Sequence, residues 1–147
     1  MKVKIEKLFM KIEINRSDEA YQMIARNEDG AIIQTDASIL MGGQVNGFRP
    51  MQLLLAGIGS CSGIDIISIL SKQRQSLKDI QIIVNGNREE GKTPSLFSDI
   101  HIEYILKGDL DEAKVARAVE LSMDTYCSVA KILEKTATIT YSYKINP

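Results

Sequence analysis

A chain of 147 residues has the length of one domain, at about 150 residues each, and buries roughly two thirds of the surface its unfolded form exposes. With 44% apolar and 25% charged residues it has the composition of a soluble globular protein, which excludes disorder and fibrous design. Eighteen basic against nineteen acidic residues give no electrostatic footprint for phosphate backbones or anionic lipid, so neither nucleic acid nor a membrane is an expected partner.

At the N-terminus, Val3 and Ile5 and then Ile12 and Ile14 alternate with charged residues, with a phase shift across Leu8 to Met10. That pattern predicts a strand with a bulge, or two strands. Tyr21 to Arg26 and Ala31 to Asp36 flank Asp29-Gly30, a strong hairpin signal. Ser38 to Phe48, with three glycines, reads as a loop. Pro50 then opens a long helix that runs to about Gln73, proline suiting a first turn where its missing N–H would have had no partner. Met51 to Leu70 carries one formal charge, Asp65, and meets the length rule for a membrane span. Its glycines and serines lower its hydrophobicity, so the expectation is a helix buried on nearly all sides of a soluble core.

Ile80 to Asn85 and Phe97 to Lys107 read as strands joined by a polar Gly86 to Pro94 segment, with Ile100, Ile102, Tyr104 and Leu106 on one face and Asp99, His101 and Glu103 on the other. Asp109 followed by Glu112 predicts a capped helix carrying Val115, Val119 and Met123 toward the core. A short helix, Ser128 to Lys135, and a closing strand at Ile139, Tyr141, Tyr143 and Ile145 complete the chain. With no repeat or linker, this βββ-α-ββ-αα-β order predicts a single α+β domain over residues 1–147.

The chemistry-bearing residues are few. His101 is the sole histidine and is placed on a wet strand face, which disfavours a triad or a Cys-His dyad. Three Cys and His residues at no recognisable spacing do not make a structural zinc site, and Gly57 to Gly63 lies inside a helix rather than after a strand, so it is not a phosphate or dinucleotide loop. No metal or cofactor is expected. Two cysteines are too few for a secreted disulfide framework, and Met1 to Lys7 lacks a signal peptide's apolar run, so a reducing, cytoplasmic setting is expected.

Of these two, Cys61 lies mid-helix among the small residues Gly59, Ser60 and Gly63, which leave room for another backbone or a substrate. Cys127 lies at or just before the first turn of the short helix, where the partial positive charge of the N-terminus favours a thiolate. Asp65, one turn beyond Cys61, opposes ionisation unless an arginine intervenes. A free cysteine is a common core residue, so on composition alone Cys61 reads first as a packing element.

The run from Arg49 to Ile66 (RPMQLLLAGIGSCSGIDI) resembles the core-helix motif of the OsmC/Ohr family, the osmotically inducible protein C and organic hydroperoxide resistance proteins. The run from Ala118 to Val129 (AVELSMDTYCSV) is similar to the family's second motif, and the element order also fits. The resemblance implies an OsmC-like fold forming an intertwined homodimer with active sites at the interface. It implies that Cys61 attacks an organic or inorganic hydroperoxide, that Cys127 resolves the product as a disulfide, and that a dithiol reductant restores both thiols. Only a thiolate attacks the O–O bond. At pH 7 a thiol of pKa about 8.5 is about 3% ionised, against about 90% at pKa about 6, so an activating cation is required. A partner thiol also protects the first sulfenic acid from irreversible oxidation.

Family members pair that arginine with a glutamate close to the motif proline; here Met51 and Gln52 stand there, and an amide orients a guanidinium by hydrogen bonding alone. Arg16 and Arg26 are the placements nearest the family's, and Arg49 adjoins the motif. Leu54, Ile58 and Ile64 are candidates for an aliphatic wall favouring hydrophobic peroxides, and Ser128, replacing a common proline, suits a helix N-cap. Three readings follow: a thiol peroxidase, a low-turnover redox-switch or small-molecule-binding dimer, and a purely structural dimer. The last gains if the two cysteines lie beyond bridging reach, about 7 Å between Cα atoms.

Overall fold

The computed structural model describes residues 9–147, so the strand expected at Val3 and Ile5 lies outside the described residues. The chain divides into two compact units, Met1–Leu53 and Leu54–Pro147.

In the first unit, β1 (Ile12–Arg16), β2 (Met23–Asn27) and β3 (Ile32–Thr35) form an antiparallel sheet in that order. The predicted hairpin is present with a three-residue loop, Glu28 to Gly30. Gly30 adopts φ +86°, the left-handed conformation that closes such a loop with a bulge, and the Asn27 side chain accepts the N–H groups of Asp29 and Ala31 at 3.1 and 2.8 Å. Residues paired across strands share a face, so Ile12, Ile14, Met23, Ala25 and Ile33 line one side together with Arg16, whereas Glu13 and Arg26 lie on the other. The four large apolar residues of that stripe are exposed. The glycine-rich loop is organised by the buried Asp36, whose carboxylate accepts the N–H groups of Ala37, Gln44 and Asn46. Those hydrogen bonds, chiefly that of Asn46, hold its pKa below the ordinary carboxylate value.

The long helix α1 (Pro50–Lys72) begins at the end of this unit and continues into the second. There β4 (Ser76–Arg88) and β5 (Phe97–Asp109) pair antiparallel and β6 (Thr138–Ile145) joins β5 in parallel. β4 is longer than predicted: Gly86, expected in the connection, pairs with Ile100. Ile100, Ile102, Tyr104 and Leu106 are fully buried, as their alternation requires. The core is completed by Ile58, Ile66 and Leu70 of α1, Val115, Ala118 and Val119 of α2 (Glu112–Leu121), Met123, and Ala130 and Leu133 of α3 (Ser128–Leu133).

Two expectations need correction. α2 is capped by Asp111, not Asp109: its carboxylate accepts Lys114 N–H at 3.0 Å, while Asp109 is still paired with Ser76 at the end of β5. α1 is long and apolar enough to cross a membrane, but only a third of its apolar window is buried, and Leu54, Ile64 and Ile67 are exposed. Of the three candidate wall residues, Ile58 faces the core, whereas Leu54 and Ile64 are exposed.

Candidate active site

The second unit brings Cys61 and Cys127 together across 66 positions of sequence, and the mechanism lies in how α1 presents two different faces. Gly59 and Gly63 lie against β4: a Cβ there would stand 2.9 Å from Val84 Cγ2 and 2.4 Å from Ile82 Cδ1. Cys61, about 200° around the helix from each, points the other way. Of the small residues predicted to open space around the sulfur, Gly59 and Gly63 thus serve to seat the helix on the sheet, and Ser60 is exposed. On the opposite stripe, Gly57, Cys61 and Asp65 recur every fourth residue. A Cβ at Gly57 would sit 3.8 Å from Val129 Cγ1, Cys61 meets Cys127, and Asp65 accepts a hydrogen bond from Ser122.

Between α2 and α3 the chain makes a π-helical turn, Ser122–Tyr126, closed by Cys127 N–H donating to Ser122 C=O at 2.7 Å. This turn was not foreseen. It inserts a residue relative to an α-helix and delivers Cys127 to the N-cap of α3, where its Sγ accepts Ala130 N–H at 3.4 Å. Ser128, expected as a cap, is the first helical residue instead. The Ser122 hydroxyl faces Asp65 Oδ2 at 3.1 Å and Ser62 C=O at 3.3 Å, and Tyr104 O–H donates to Ser62 Oγ at 2.8 Å. Burial, as the dominant cause, pushes the Tyr104 phenol up to about 12.

Cys61 Sγ, Cys127 Sγ and an Asp65 carboxylate oxygen all lie within 4.8 Å of one another. Both cysteines are free thiols, Cys61 half-buried and Cys127 fully buried. The expectation that a helix N-terminus favours a Cys127 thiolate is overturned: burial pushes that thiol up to about 11, and the neighbouring Cys61 and Asp65 add to it. The Ala130 N–H pulls the other way and loses, because desolvation penalises the charged form more than one neutral donor stabilises it. Beside Asp65 a cleft of about 370 Å³ opens, lined also by Ile69, Lys72, Leu121 and Tyr126.

The remaining predicted site residues belong to the first unit. Arg16 donates to the carbonyls of Ala20 (3.0 Å) and Glu19, and Arg26 to Gly30 C=O at 3.3 Å. Gln52 Oε1 accepts Arg49 N–H at 3.0 Å, capping α1 from its first turn. His101 is a strand-bridging residue, its ring nitrogens 2.7 Å from Thr140 Oγ1 and 3.0 Å from Ser142 Oγ. Sequence reasoning missed Ser62, Ser122 and Tyr104; the signal was available in Tyr104, whose place on an apolar strand face obliges its hydroxyl to find a buried partner.

A three-stranded sheet carrying a long helix with a mid-helix cysteine, and a second cysteine folded against it, describe a thiol-bearing α+β protein of the OsmC-like class. The sequence profile of the OsmC-like protein family matches residues 42–142, and the chain belongs to that family, whose members include hydroperoxide-resistance peroxidases. Protein YhfA of Escherichia coli (strain K12) is 46% identical over 97 residues, 65% of this chain and 72% of the relative. Among solved structures, a hypothetical protein from Aquifex aeolicus VF5 superposes with a TM-score of 0.78 at 35% identity, over 95% of this chain and 98% of its own. An organic hydroperoxide resistance protein OsmC from Legionella pneumophila shares the fold, with a TM-score of 0.73 at 15% identity over 95% and 99% of the two chains.

Proposed function

We propose that the protein is a homodimeric thiol peroxidase that reduces organic or inorganic hydroperoxides, with Cys61 as the attacking and Cys127 as the resolving thiol. The observation that carries this reading is the approach of the two sulfurs to within 4.8 Å of each other. The unequal surroundings divide the roles. A fully buried thiol raised to about 11 stays protonated at neutral pH and does not make the first attack; the half-buried Cys61, one helical turn from the Asp65 that lines the cleft, is the nucleophile.

In the cycle, Cys61 thiolate attacks the outer oxygen of R–O–O–H, the O–O bond breaks, and R–O⁻ takes a proton to leave as the alcohol. The resulting Cys61 sulfenic acid is attacked by Cys127 sulfur, and the disulfide forms as water departs. Asp65, placed within 4.8 Å of both sulfurs, is positioned to accept the Cys127 proton in that step. A dithiol donor of two electrons then restores both thiols. The activating guanidinium is identified by replacing Arg16, Arg26 and Arg49 with alanine one at a time and following the loss of rate.

The dimer reading is supported by the exposed stripe of Ile12, Ile14, Met23 and Ile33 on the first sheet. A low-turnover redox switch is the second reading, favoured by Gln52, a neutral residue whose Oε1 is already committed to the helix cap. Stopped-flow oxidation with cumene hydroperoxide tests both. Cys61→Ser abolishes consumption, and Cys127→Ser gives one turnover and stalls. Full activity in Cys61→Ser would refute the peroxidase, and a rate no faster than that of free cysteine would select the switch.

A further inference from the structure

We propose that Cys61, Asp65 and Cys127 form a binding site for a thiophilic divalent cation of the zinc class, available only while both cysteines are reduced. The donors come from two elements already in place: Cys61 and Asp65, one turn apart on a single face of α1, and Cys127 at the N-cap of α3. Their ligand atoms lie within 4.8 Å of one another. A tetrahedral ion with bonds of about 2.3 Å to sulfur and about 2.0 Å to oxygen holds its ligands roughly 3.5–3.8 Å apart. With 4.8 Å as the widest separation, the closure required is at most about 1.3 Å for any pair.

The surroundings resemble a supporting shell. Ser122 Oγ donates to Asp65 Oδ2 at 3.1 Å, fixing the carboxylate, and Ala130 N–H donates to Cys127 Sγ at 3.4 Å; such outer hydrogen bonds orient ligands and sustain affinity. Two sulfurs and one oxygen select zinc-like ions over magnesium and calcium, which take oxygen sets. Three protein ligands leave a fourth position for water or an exogenous group, the arrangement of an open rather than a closed site. Counting cysteines and histidines in the sequence could not find it, because the third ligand is a carboxylate and the grouping is made by the fold.

Binding releases protons and moves no electrons: M²⁺ plus two thiols gives the metal dithiolate and 2 H⁺. Hydroperoxide turnover withdraws two electrons from the same sulfurs, R–O–O–H plus two thiols giving R–O–H, water and the disulfide. The two reactions exclude each other, so metal occupancy suppresses peroxide reduction and the disulfide abolishes the metal site. The competition rests on the peroxidase reading; the metal site does not.

Titration of the full-length protein, reduced with a phosphine and kept anaerobic, with Co²⁺ and then Zn²⁺ tests the site. The expected result is one Co²⁺ per chain with thiolate-to-cobalt charge-transfer absorption, displaced by Zn²⁺, with two protons released per ion in weak buffer. The band disappears in Cys61→Ser and in wild-type protein oxidised with diamide, which needs no substitution at the buried Cys127. Asp65→Ala weakens binding by about tenfold or more, and Ser122→Ala by about tenfold. No charge-transfer band in the reduced protein, or a band that survives Cys61→Ser or diamide, overturns the proposal. A band in a protein without peroxidase activity would refute only the peroxidase reading, and peroxidase activity without a band only the metal site.

Discussion

The two three-stranded sheets of this protein, one of short strands and one of long strands, end in opposite states. In the second, Ile100, Ile102, Tyr104 and Leu106 disappear beneath helices, while in the first Ile12, Ile14, Met23 and Ile33 stay exposed. Alternation is present in both, so the pattern alone does not produce a core; a covering layer does. The chemistry follows the covered sheet, because the helices that bury it also carry the two cysteines.

This contrast can be broken in graded steps. Ile102→Ala opens a cavity where no surface can collapse and costs about 3 kcal/mol in urea unfolding, whereas Ile12→Ala costs less than about 0.5 kcal/mol in a monomeric background. Equal losses would show that the first sheet has a core of its own. If the proposed dimer forms through the exposed stripe, Ile14→Lys turns it into a monomer by sedimentation while far-ultraviolet circular dichroism is unchanged. A variant that remains dimeric would move the interface elsewhere.

The covered region also titrates. Cys127 is raised from 9.0 to about 11 on folding, so between those values the unfolded chain has lost its proton and the folded chain has kept it. Ionisation therefore pulls toward the unfolded state, and stability that is intact below pH 9 falls as pH rises toward 11. Tyr104, raised from 10.0 to about 12, extends the decline in the same direction. Urea unfolding across this range gives a downward slope that is shallower in Cys127→Ala; a flat wild-type profile would contradict it. The smallest effects are local. Tyr104→Phe removes the donor to Ser62 and Asp111→Ala removes the cap of α2, each costing about 1 kcal/mol by thermal or urea unfolding.

Much of this was legible from local rules. The inward face of β5 follows from strict alternation, the hairpin from Asp29-Gly30, and the start of α1 from Pro50, since each depends on residues close in sequence. The cap of α2 was misassigned between two aspartates two residues apart, because strand pairing of Asp109 with Ser76, a tertiary event, decided which was free to cap.

The site divides along the same line. Sequence by itself determined that two cysteines, one mid-helix and one at a helix start, were the residues to watch, because their chemistry and spacing belong to the chain. Only the tertiary structure decided that they meet, that Asp65 joins them, that a π turn closes on Cys127, and that burial outweighs the helix N-terminus in keeping that thiol protonated. Proximity and desolvation are properties of the packed interior, summed over neighbours from α1, the π turn and α3, and no single segment of sequence encodes that sum.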